Sequence, residues 1–373
     1  MPVNSGVICL HNGKPNPNQF HKDRKLTQIK SFDDCIDMAG NGKKHLMLGN
    51  GFSIALFPQI FNYKRLAENI ESDRIKLLFE AIDTPDFEFV MRRLLEAEEI
   101  VKHYDSSDGI TSHIHNDIEE LKRTLIHVIS KCHPSKPSEI TDHQYSSCRT
   151  FLLNFEKGNT YTFNYDLILY WVLMHFHDHP ELKVPCDDGF RYPYSNEYVP
   201  EEERDLSLHW EIGRERGQSI YYIHGAMHIF SDGSDIEKVS YTNLGVPLAE
   251  QVRQAIDEDR FPVFISEGST DHKLARIKKN GYLSRTFSSL KSITGNLFIF
   301  GHSIRDEDDH VFDFINQNNK GLRIFIGLFG DIGEPHNQMI ISKVEKWRKS
   351  YRGKVFEFYD SSSVDVWGRH FHA

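Results

Sequence analysis

Cysteine is scarce in this chain, with five residues in 373, and no two of them form a Cys-x-x-Cys pair. The five are also odd in number and widely spaced. This pattern argues against a disulfide framework and against a structural zinc module, both of which need closely paired cysteines. We therefore expect reduced, partly buried thiols and no bound metal.

Long apolar runs and an excess of positive charge are missing as well. No run reaches the length of a membrane-spanning helix, and the N-terminus lacks an apolar signal region. We therefore expect a cytoplasmic protein without a membrane partner. The net charge is −10, and the densest basic run, Lys273 to Lys279, is typical of a solvated helix face. Direct nucleic-acid binding is not expected, because it needs a basic surface that neutralises phosphates.

Apolar segments of strand length alternate with segments of helical periodicity along most of the chain. Hydrophobic residues make up 39% of it, enough for the core of a large domain. Strands buried on both faces and joined by helices form parallel sheets. The sequence therefore predicts an α/β fold, a Rossmann-like parallel sheet with helices on both faces. Its predicted strands are 45–49, 160–163, 220–223, 262–265, 296–300, 322–328 and 354–358.

The predicted organisation is one main domain with additions. Residues 1–40 are read as a polar arm and a short helix, which Ser31 caps with Asp34 at the capping-box position. Residues 41–373 are read as the Rossmann-like domain. Within it, residues 62–155 show only helical periodicity and predict a helical insertion after the first βα unit, whereas the polar stretch 180–218 predicts a surface excursion.

The first predicted strand runs into Gly49-Asn50-Gly51, with Ser53 just beyond. Glycines permit a sharp turn and a close approach to phosphate, and the N-terminus of the next helix favours an anion. We predict that Gly49, Asn50, Gly51 and Ser53 form a phosphate cradle. The alternative is an ordinary tight turn between a strand and a helix.

Two further strand ends carry polar side chains with chemical potential. Asn164 and Asp166 follow the second strand, and His224 followed by Gly225 ends the third. An amide can hold ribose hydroxyls and a water, while an imidazole can act as a general base near neutrality. The alternatives are that Asn164 or Asp166 caps the next helix and that His224 bonds a neighbouring carbonyl.

A fourth polar turn contains Gly301, Ser303 and Asp306. These residues could line the ribose or adenine side of a bound nucleotide, or the acidic run could simply favour a helix start. His175 and His179 would share a helix face, but no acidic third ligand is evident, and a metal site is not expected. Because ligands sit beyond the carboxyl ends of parallel strands, all four polar turns can converge.

These motifs in this order resemble the sirtuin-like domains of bacterial antiphage defence systems. The resemblance covers residues 45 to about 328 and rests on Gly-Asn-Gly-Phe-Ser at 49–53, Phe-Asn-Tyr-Asp at 163–166, Ile-His-Gly at 223–225 and Gly-His-Ser-Ile-Arg-Asp-Glu-Asp at 301–308. Asp86-Phe-Glu88 also resembles an acidic-aromatic motif in the helical part of these proteins.

The resemblance implies a Rossmann-like domain that hydrolyses NAD to nicotinamide and ADP-ribose. It implies Asn164 and His224 as catalytic residues and the 49–53 loop as the dinucleotide loop, with Gly301, Ser303, Asp306 and Asp166 on the cofactor. It also implies a homo-oligomer that works with a HerA-type ATPase to deplete NAD during phage infection. NAD is the substrate, and no metal is implied.

The chain departs from true sirtuins in ways that disfavour protein deacylation. Gly-Asn-Gly replaces their Gly-Ala-Gly loop, and both their cysteine-paired zinc module and a recognisable acyl-lysine channel are missing. NAD hydrolysis is therefore the leading hypothesis. The alternatives are a module that senses NAD or ADP-ribose without turnover and a sirtuin-type deacylase.

Overall fold

A computed structural model describes residues 29–104, 109–177, 179, 181–203, 207–232, 235–240, 246–265, 270–318 and 320–368. Most of the predicted N-terminal arm, residues 1–28, lies outside the described residues. In the part of the chain that is described, no helix combines the length and apolarity that a membrane span requires.

The main sheet has seven strands, and every adjacent pair is parallel. Its central strands are almost fully buried because helices flank the sheet, as their continuous apolar runs predict. The predicted Rossmann-like α/β fold is thus confirmed. In spatial order the strands are β1 (Ile29–Lys30), β12 (Lys354–Asp360), β11 (Leu322–Leu328), β10 (Gly295–Phe300), β2 (Lys44–Leu48), β3 (Thr160–Thr162) and β6 (Ile220–Tyr222).

The strand order changes direction between β2 and β10. From β2 the chain builds outward through β3 to β6, and it then returns to the other side of β2 to add β10, β11 and β12. In open parallel sheets, ligands generally bind beyond the carboxyl ends of the strands at such a reversal. The loops after β2 and β10 therefore flank the place where a parallel sheet binds its ligands.

The predicted helical insertion after the first βα unit is also confirmed. It consists of α3 to α7, with no strand among its described residues. The α-helices among the described residues are α1 (Phe32–Ala39), α2 (Gly51–Leu56), α3 (Tyr63–Glu68), α4 (Asp73–Ile82), α5 (Phe87–Val101), α6 (Gly109–Cys132), α7 (Asp142–Leu153), α8 (Ile168–His175), α9 (Leu248–Asp257), α10 (Thr270–Lys279), α11 (Gly281–Ser292), α12 (Asp309–Asn316) and α13 (Pro335–Ser350).

Helix α1 packs on the main sheet. The predicted capping box is present, since Ser31 and Asp34 exchange side-chain and backbone hydrogen bonds. The ring of Phe32 packs against the rings of Phe298 in β10 and Tyr359 in β12, with centroid distances of 5.9 and 5.7 Å. Ile29 and Lys30, which precede the Ser31 cap, are predicted as arm, but they add β1 to the edge of the sheet. A two-residue strand carries no periodicity that a sequence pattern could reveal.

A second sheet, which the sequence pattern does not predict, lies beside the first. It is antiparallel and has five strands, in the order β4 (Phe190–Arg191), β5 (Leu208–Trp210), β8 (Asp235–Lys238), β7 (Gly225–Asp232) and β9 (Pro262–Phe264). Two predictions are corrected by it. The segment 262–265 does not belong to the parallel sheet, and the excursion 180–218 contributes two strands rather than surface loop alone.

Candidate functional site

The loop after β2 packs directly against the loop after β10. The Gly49 N–H donates to Phe300 O at 2.9 Å, and the Gly51 N–H donates to Gly301 O at 2.8 Å. A β-carbon on Gly49 would lie 2.5 Å from Gly301 O, and one on Gly51 would lie 2.6 Å from Gly301 Cα. Glycine is therefore required here for contact between the two loops. The predicted phosphate cradle stays a prediction.

Replacing Gly51 with alanine is expected to destabilise the fold by about 1–3 kcal/mol, because the added carbon forces the two loops apart. Urea unfolding of the variant and the wild type measures the change. Gly321→Ala is the control, since a β-carbon there would have its nearest neighbour 4.0 Å away. Equal unfolding midpoints for Gly51→Ala and wild type would show that the loops do not need this close approach.

A hydrogen-bond relay fixes the orientation of the Asn164 amide. Asn164 Nδ2 donates to Ser53 Oγ at 3.0 Å, and Ser53 Oγ donates to Asp166 Oδ2 at 2.6 Å. The other oxygen of Asp166 accepts the Ile168 N–H at 2.9 Å. Because Nδ2 points at Ser53, Asn164 Oδ1 must point the other way, and this buried oxygen has no hydrogen-bond partner among the described residues.

Ser53 and Asp166, which are predicted to contact the cofactor, are thus the second and third members of the relay that begins at Asn164. Both are buried, at 0% and 4% exposure. Burial raises the pKa of Asp166 to about 6, although the Ser53 hydroxyl and the Ile168 N–H favour its ionised form. Asp166 also accepts the N–H of Ile168, the first residue of α8, although the N-cap position is Leu167 and no side chain caps the helix. The structure gives both residues a role in orienting Asn164.

His224 lies at the joint between the two sheets. Strand β6 ends at Tyr222 and β7 begins at Gly225, so the chain leaves the parallel sheet at this point. The His224 carbonyl accepts the Ile265 N–H at 2.9 Å, which ties the residue to the end of β9. Gly225 has a φ of +86°, and a β-carbon there would overlap the carbonyl of Val263. The glycine after His224 is explained by this backbone approach.

The His224 imidazole is 2% exposed and faces a second imidazole. Its Nε2 lies 3.0 Å from His310 Nε2 and 3.8 Å from Asp308 Oδ1. Burial lowers the pKa of His224 well below the ordinary value, and the Asp308 carboxylate offsets only part of this. His224 is therefore a neutral imidazole near pH 7, the form that can accept a proton.

Asp308 is the centre of a buried polar cluster. His302 Nε2 lies 3.3 Å from Asp308 Oδ2, and Lys273 Nζ lies 3.4 Å from Asp308 Oδ1. Burial alone would raise the pKa of Asp308, but the His302 hydrogen bond and the Lys273 charge hold it well below the usual range. The Ile304 N–H donates to His302 Nδ1 at 2.8 Å, which assigns the ring proton to Nε2.

Lys273 corrects the prediction that its basic run is a solvated face. It is 1% exposed, whereas Lys278 and Lys279 of the same helix are exposed. Burial would lower the pKa of Lys273, but the carboxylates of Glu88 and Asp308 raise it above the ordinary value. The spacing of charges along α10 carries no signal that separates this lysine from its neighbours.

The other predicted residues near this edge have different surroundings. Ser303 and Asp306 are exposed, and Asp306 Oδ1 pairs with Lys343 Nζ at 2.8 Å. Asn50 Nδ2 donates to Phe61 O at 3.0 Å. Their predicted contact with a nucleotide stays a prediction. Within the acidic run 306–309, Asp306 is the predicted ligand contact, whereas Asp308 is the buried residue.

His224, Asp308 and His310 bring possible metal-ligand atoms within 4.8 Å of one another. The Lys273 ammonium already supplies a positive charge to Asp308, whereas the buried His310 Nδ1 has no hydrogen-bond partner among the described residues. His175, considered above as a ligand, stacks on Tyr145 with ring centroids 3.7 Å apart. The expectation that no metal binds stays a prediction.

Fold and site together define an α/β protein with a polar cluster at the topological switch point of a Rossmann-like sheet. A family model described as "Domain of unknown function (DUF4917)" matches residues 46–367. The chain therefore belongs to this family. The matched segment contains the main sheet from β2 onward, the helical insertion and the second sheet. No curated protein matches the sequence.

Proposed function

We propose that this protein hydrolyses NAD to nicotinamide and ADP-ribose. The observation that carries the proposal is the buried Asn164 Oδ1, an acceptor without a partner among the described residues. Leaving a buried polar atom unpaired costs about 1–3 kcal/mol, so such an atom is expected to meet a donor in the working state. A ribose hydroxyl or an attacking water provides that donor.

The position of Asn164 and His224 suits one ligand. They follow the neighbouring strands β3 and β6, and the ring of Phe163 lies 5.0 Å from that of His224 and 4.1 Å from that of His302. Asn164 reaches the loop after β2 through Ser53, and His224 reaches the segment after β10 through Asp308. Both side chains are thus tied to the loops after β2 and β10, which pack against each other at this edge of the sheet.

The chemistry of NAD fits these two groups. Nicotinamide leaves as a neutral base from a cationic ring, so the glycosidic bond breaks through an oxocarbenium-like transition state that water then attacks. An oriented amide can position the ribose and the water, and the neutral imidazole of His224 can accept the proton that the water releases. The 49–53 turn would anchor the pyrophosphate through groups other than the Gly49 and Gly51 N–H, which already donate to Phe300 O and Gly301 O. Remote binding energy of this kind would position the reacting bond.

The biological setting follows from the resemblance and is part of the proposal. We infer that the chain forms a homo-oligomer, works with a HerA-type ATPase and depletes NAD in infected cells. A gene for such an ATPase beside this one would support the setting. Comparison of NAD turnover with and without that ATPase tests whether the partner activates the enzyme.

His224→Ala is expected to lower nicotinamide release by about 10²–10⁴-fold, the usual contribution of a general base. Chromatography of nicotinamide and ADP-ribose from NAD measures the change. His336→Ala, an exposed histidine on α13, is the control and should keep wild-type turnover. Equal rates for His224→Ala and wild type would move proton transfer to another residue.

A second candidate function is a module that binds NAD or ADP-ribose and signals without turnover. The burial of Asn164 and His224, at 7% and 2% exposure, favours it, because a catalytic group must reach its substrate. Calorimetric binding of NAD with no nicotinamide release over the same hours would select this function.

A further inference from the structure

His224 shares a hydrogen bond with a second buried histidine, His310. Their two Nε2 atoms are 3.0 Å apart, which is a hydrogen-bond distance. The ring planes are 12° apart, and the centroid separation of 5.1 Å exceeds the nitrogen separation by nearly the sum of the two ring radii. The rings therefore meet edge to edge, and the N–H of one can point at the lone pair of the other.

Packing on both sides holds the two rings in place. His310 is the second residue of α12, is fully buried, and stacks against Phe287 of α11 with ring centroids 5.8 Å apart. The His224 backbone is fixed at the joint between the sheets, and its ring meets that of Phe163 edge-on at 5.0 Å. Neither imidazole can turn to another partner without disturbing these contacts, so the pair is a fixed part of the site.

Only one of the two facing nitrogens can carry a proton. Burial lowers the pKa of both imidazoles, that of His310 to about 4, so each ring is neutral near pH 7 and carries one ring proton. If His224 donates, its proton is on Nε2 and its Nδ1 is a free acceptor. If His310 donates, the proton of His224 is on Nδ1, and neither nitrogen of His224 is left to accept another.

The Asp308 carboxylate favours the arrangement in which His224 donates. Its Oδ1 lies 3.8 Å from His224 Nε2, and a negative charge there stabilises an N–H more than a lone pair. Lys273 opposes this, but among the charges that act on the pKa of His224 the carboxylate of Asp308 is the strongest. His310 Nδ1 has no hydrogen-bond partner among the described residues in either arrangement, so it does not choose between them.

We propose that His310 is a positioning residue for NAD hydrolysis, which accepts the Nε2 proton of His224 and thereby leaves His224 Nδ1 as the base. The attacking water would give a proton to Nδ1 while its oxygen bonds the ribose carbon, and nicotinamide would leave with the electron pair of the glycosidic bond. His224 would then carry both ring protons, with Nε2–H still donated to His310 and the Asp308 carboxylate balancing the charge. The catalytic part of this inference rests on the proposed function, whereas the position of the shared proton is a property of the chain alone.

Nitrogen-15 NMR of histidine-labelled wild-type protein locates the shared proton directly, with the two rings assigned from His224→Ala and His310→Phe. The proton between the rings should couple directly to Nε2 of His224 and, across the hydrogen bond, to Nε2 of His310. A proton bound to His310 Nε2 would overturn the inference. So would the absence of any proton between the two nitrogens, which is the state that metal ligation by both would leave.

Kinetic variants test what the hydrogen bond does. His310→Phe should lower the kcat for nicotinamide release by about 10–100-fold with little change in KM, the range seen when a group that orients a metal-bound histidine is removed. His310→Gln places an amide oxygen near the position of the lost Nε2 and should restore most of the rate. The matched control is His228→Phe, which removes another fully buried imidazole and should keep wild-type kcat.

Wild-type kcat in a folded His310→Phe protein would overturn the positioning role, as would an equal loss in His310→Gln or in His228→Phe. Thermal unfolding of the same samples shows which variants are folded. If the wild type binds NAD and releases no nicotinamide, the proposed function fails and the catalytic role of His310 fails with it. The NMR measurement on the wild type still decides which histidine donates, so the two failures are distinguishable.

Discussion

Replacing Asn164 with alanine is expected to lower the rate of nicotinamide release by about 10²–10³-fold, the loss seen when one preorganised polar group is removed from an active site. The variant removes the Oδ1 acceptor that has no partner in the described structure. It also frees the Ser53 hydroxyl, which still bonds Asp166, so the fold should survive. Steady-state kinetics with NAD and thermal unfolding of the same samples measure both effects.

The control for this variant is Asn159→Ala, at the other end of the same strand. Asn159 Nδ2 donates to Tyr161 Oη at 3.0 Å and to Ser289 Oγ at 3.2 Å, at the opposite end of β3 from Asn164. This variant should lose a little stability and keep its turnover. Asn164→Asp gives a finer test, because it keeps the size of the side chain but removes the donor to Ser53. Wild-type kcat in Asn164→Ala would exclude Asn164 from the chemistry.

Replacing Lys273 with methionine is expected to destabilise the fold by about 3–5 kcal/mol, the cost of leaving a buried charge without its partner. Lys273 Nζ lies 3.4 Å from Asp308 Oδ1, and their side chains are 1% and 11% exposed. Methionine retains most of the volume of the lysine side chain, so the loss of stability comes from the carboxylates that are left without a positive partner. Urea unfolding followed by circular dichroism measures the change.

Two further variants make this result specific. Lys278→Met alters an exposed lysine of the same helix and should change the free energy of unfolding by less than about 0.5 kcal/mol. Combining Lys273→Met with Asp308→Asn removes both charges, and asparagine can still accept from His302. The double variant should therefore recover much of the lost stability. A Lys273→Met protein as stable as Lys278→Met would show that the pair contributes nothing.

The main sheet was predictable because its strands are short, continuous apolar runs between helices. Segment 322–328, predicted as a strand, is β11 with the same bounds, and the predicted 296–300 is β10 less its first residue. Such runs are buried on both faces of a parallel sheet, so their composition reflects their environment. The absence of strand periodicity between 62 and 155 predicted the helical insertion equally well.

The second sheet was not predictable by the same reasoning. Its strands β4 and β5 have two and three residues and lie within a stretch rich in charge. Such strands are defined by partners far along the chain, and a local pattern cannot reveal these. Pro262 begins β9, which fits the start of a strand in either kind of sheet.

Some residues of the candidate site are predictable from the sequence in the same way, and others are not. Asn164 and His224 stand directly at strand ends, where position alone marks them as candidates. Lys273 and Asp308 come from a helix and a helix start, and each sits among other charged residues. Tertiary packing chooses which of these charges is buried, and nothing local to the sequence encodes that choice. The sequence marks Gly49 and Gly51 as candidates because glycines in such a turn can form a phosphate cradle. The structure shows a further reason for glycine at both positions, which is their close contact with Gly301.

Proton NMR of NAD mixed with the purified chain is the most direct test of the proposal, since one spectrum reports bound cofactor, intact cofactor and free nicotinamide. The proposed chemistry predicts that free nicotinamide and ADP-ribose grow in equal amounts with the wild-type chain and stay at background with Asn164→Ala. NAD that binds the wild-type chain and remains intact would contradict it.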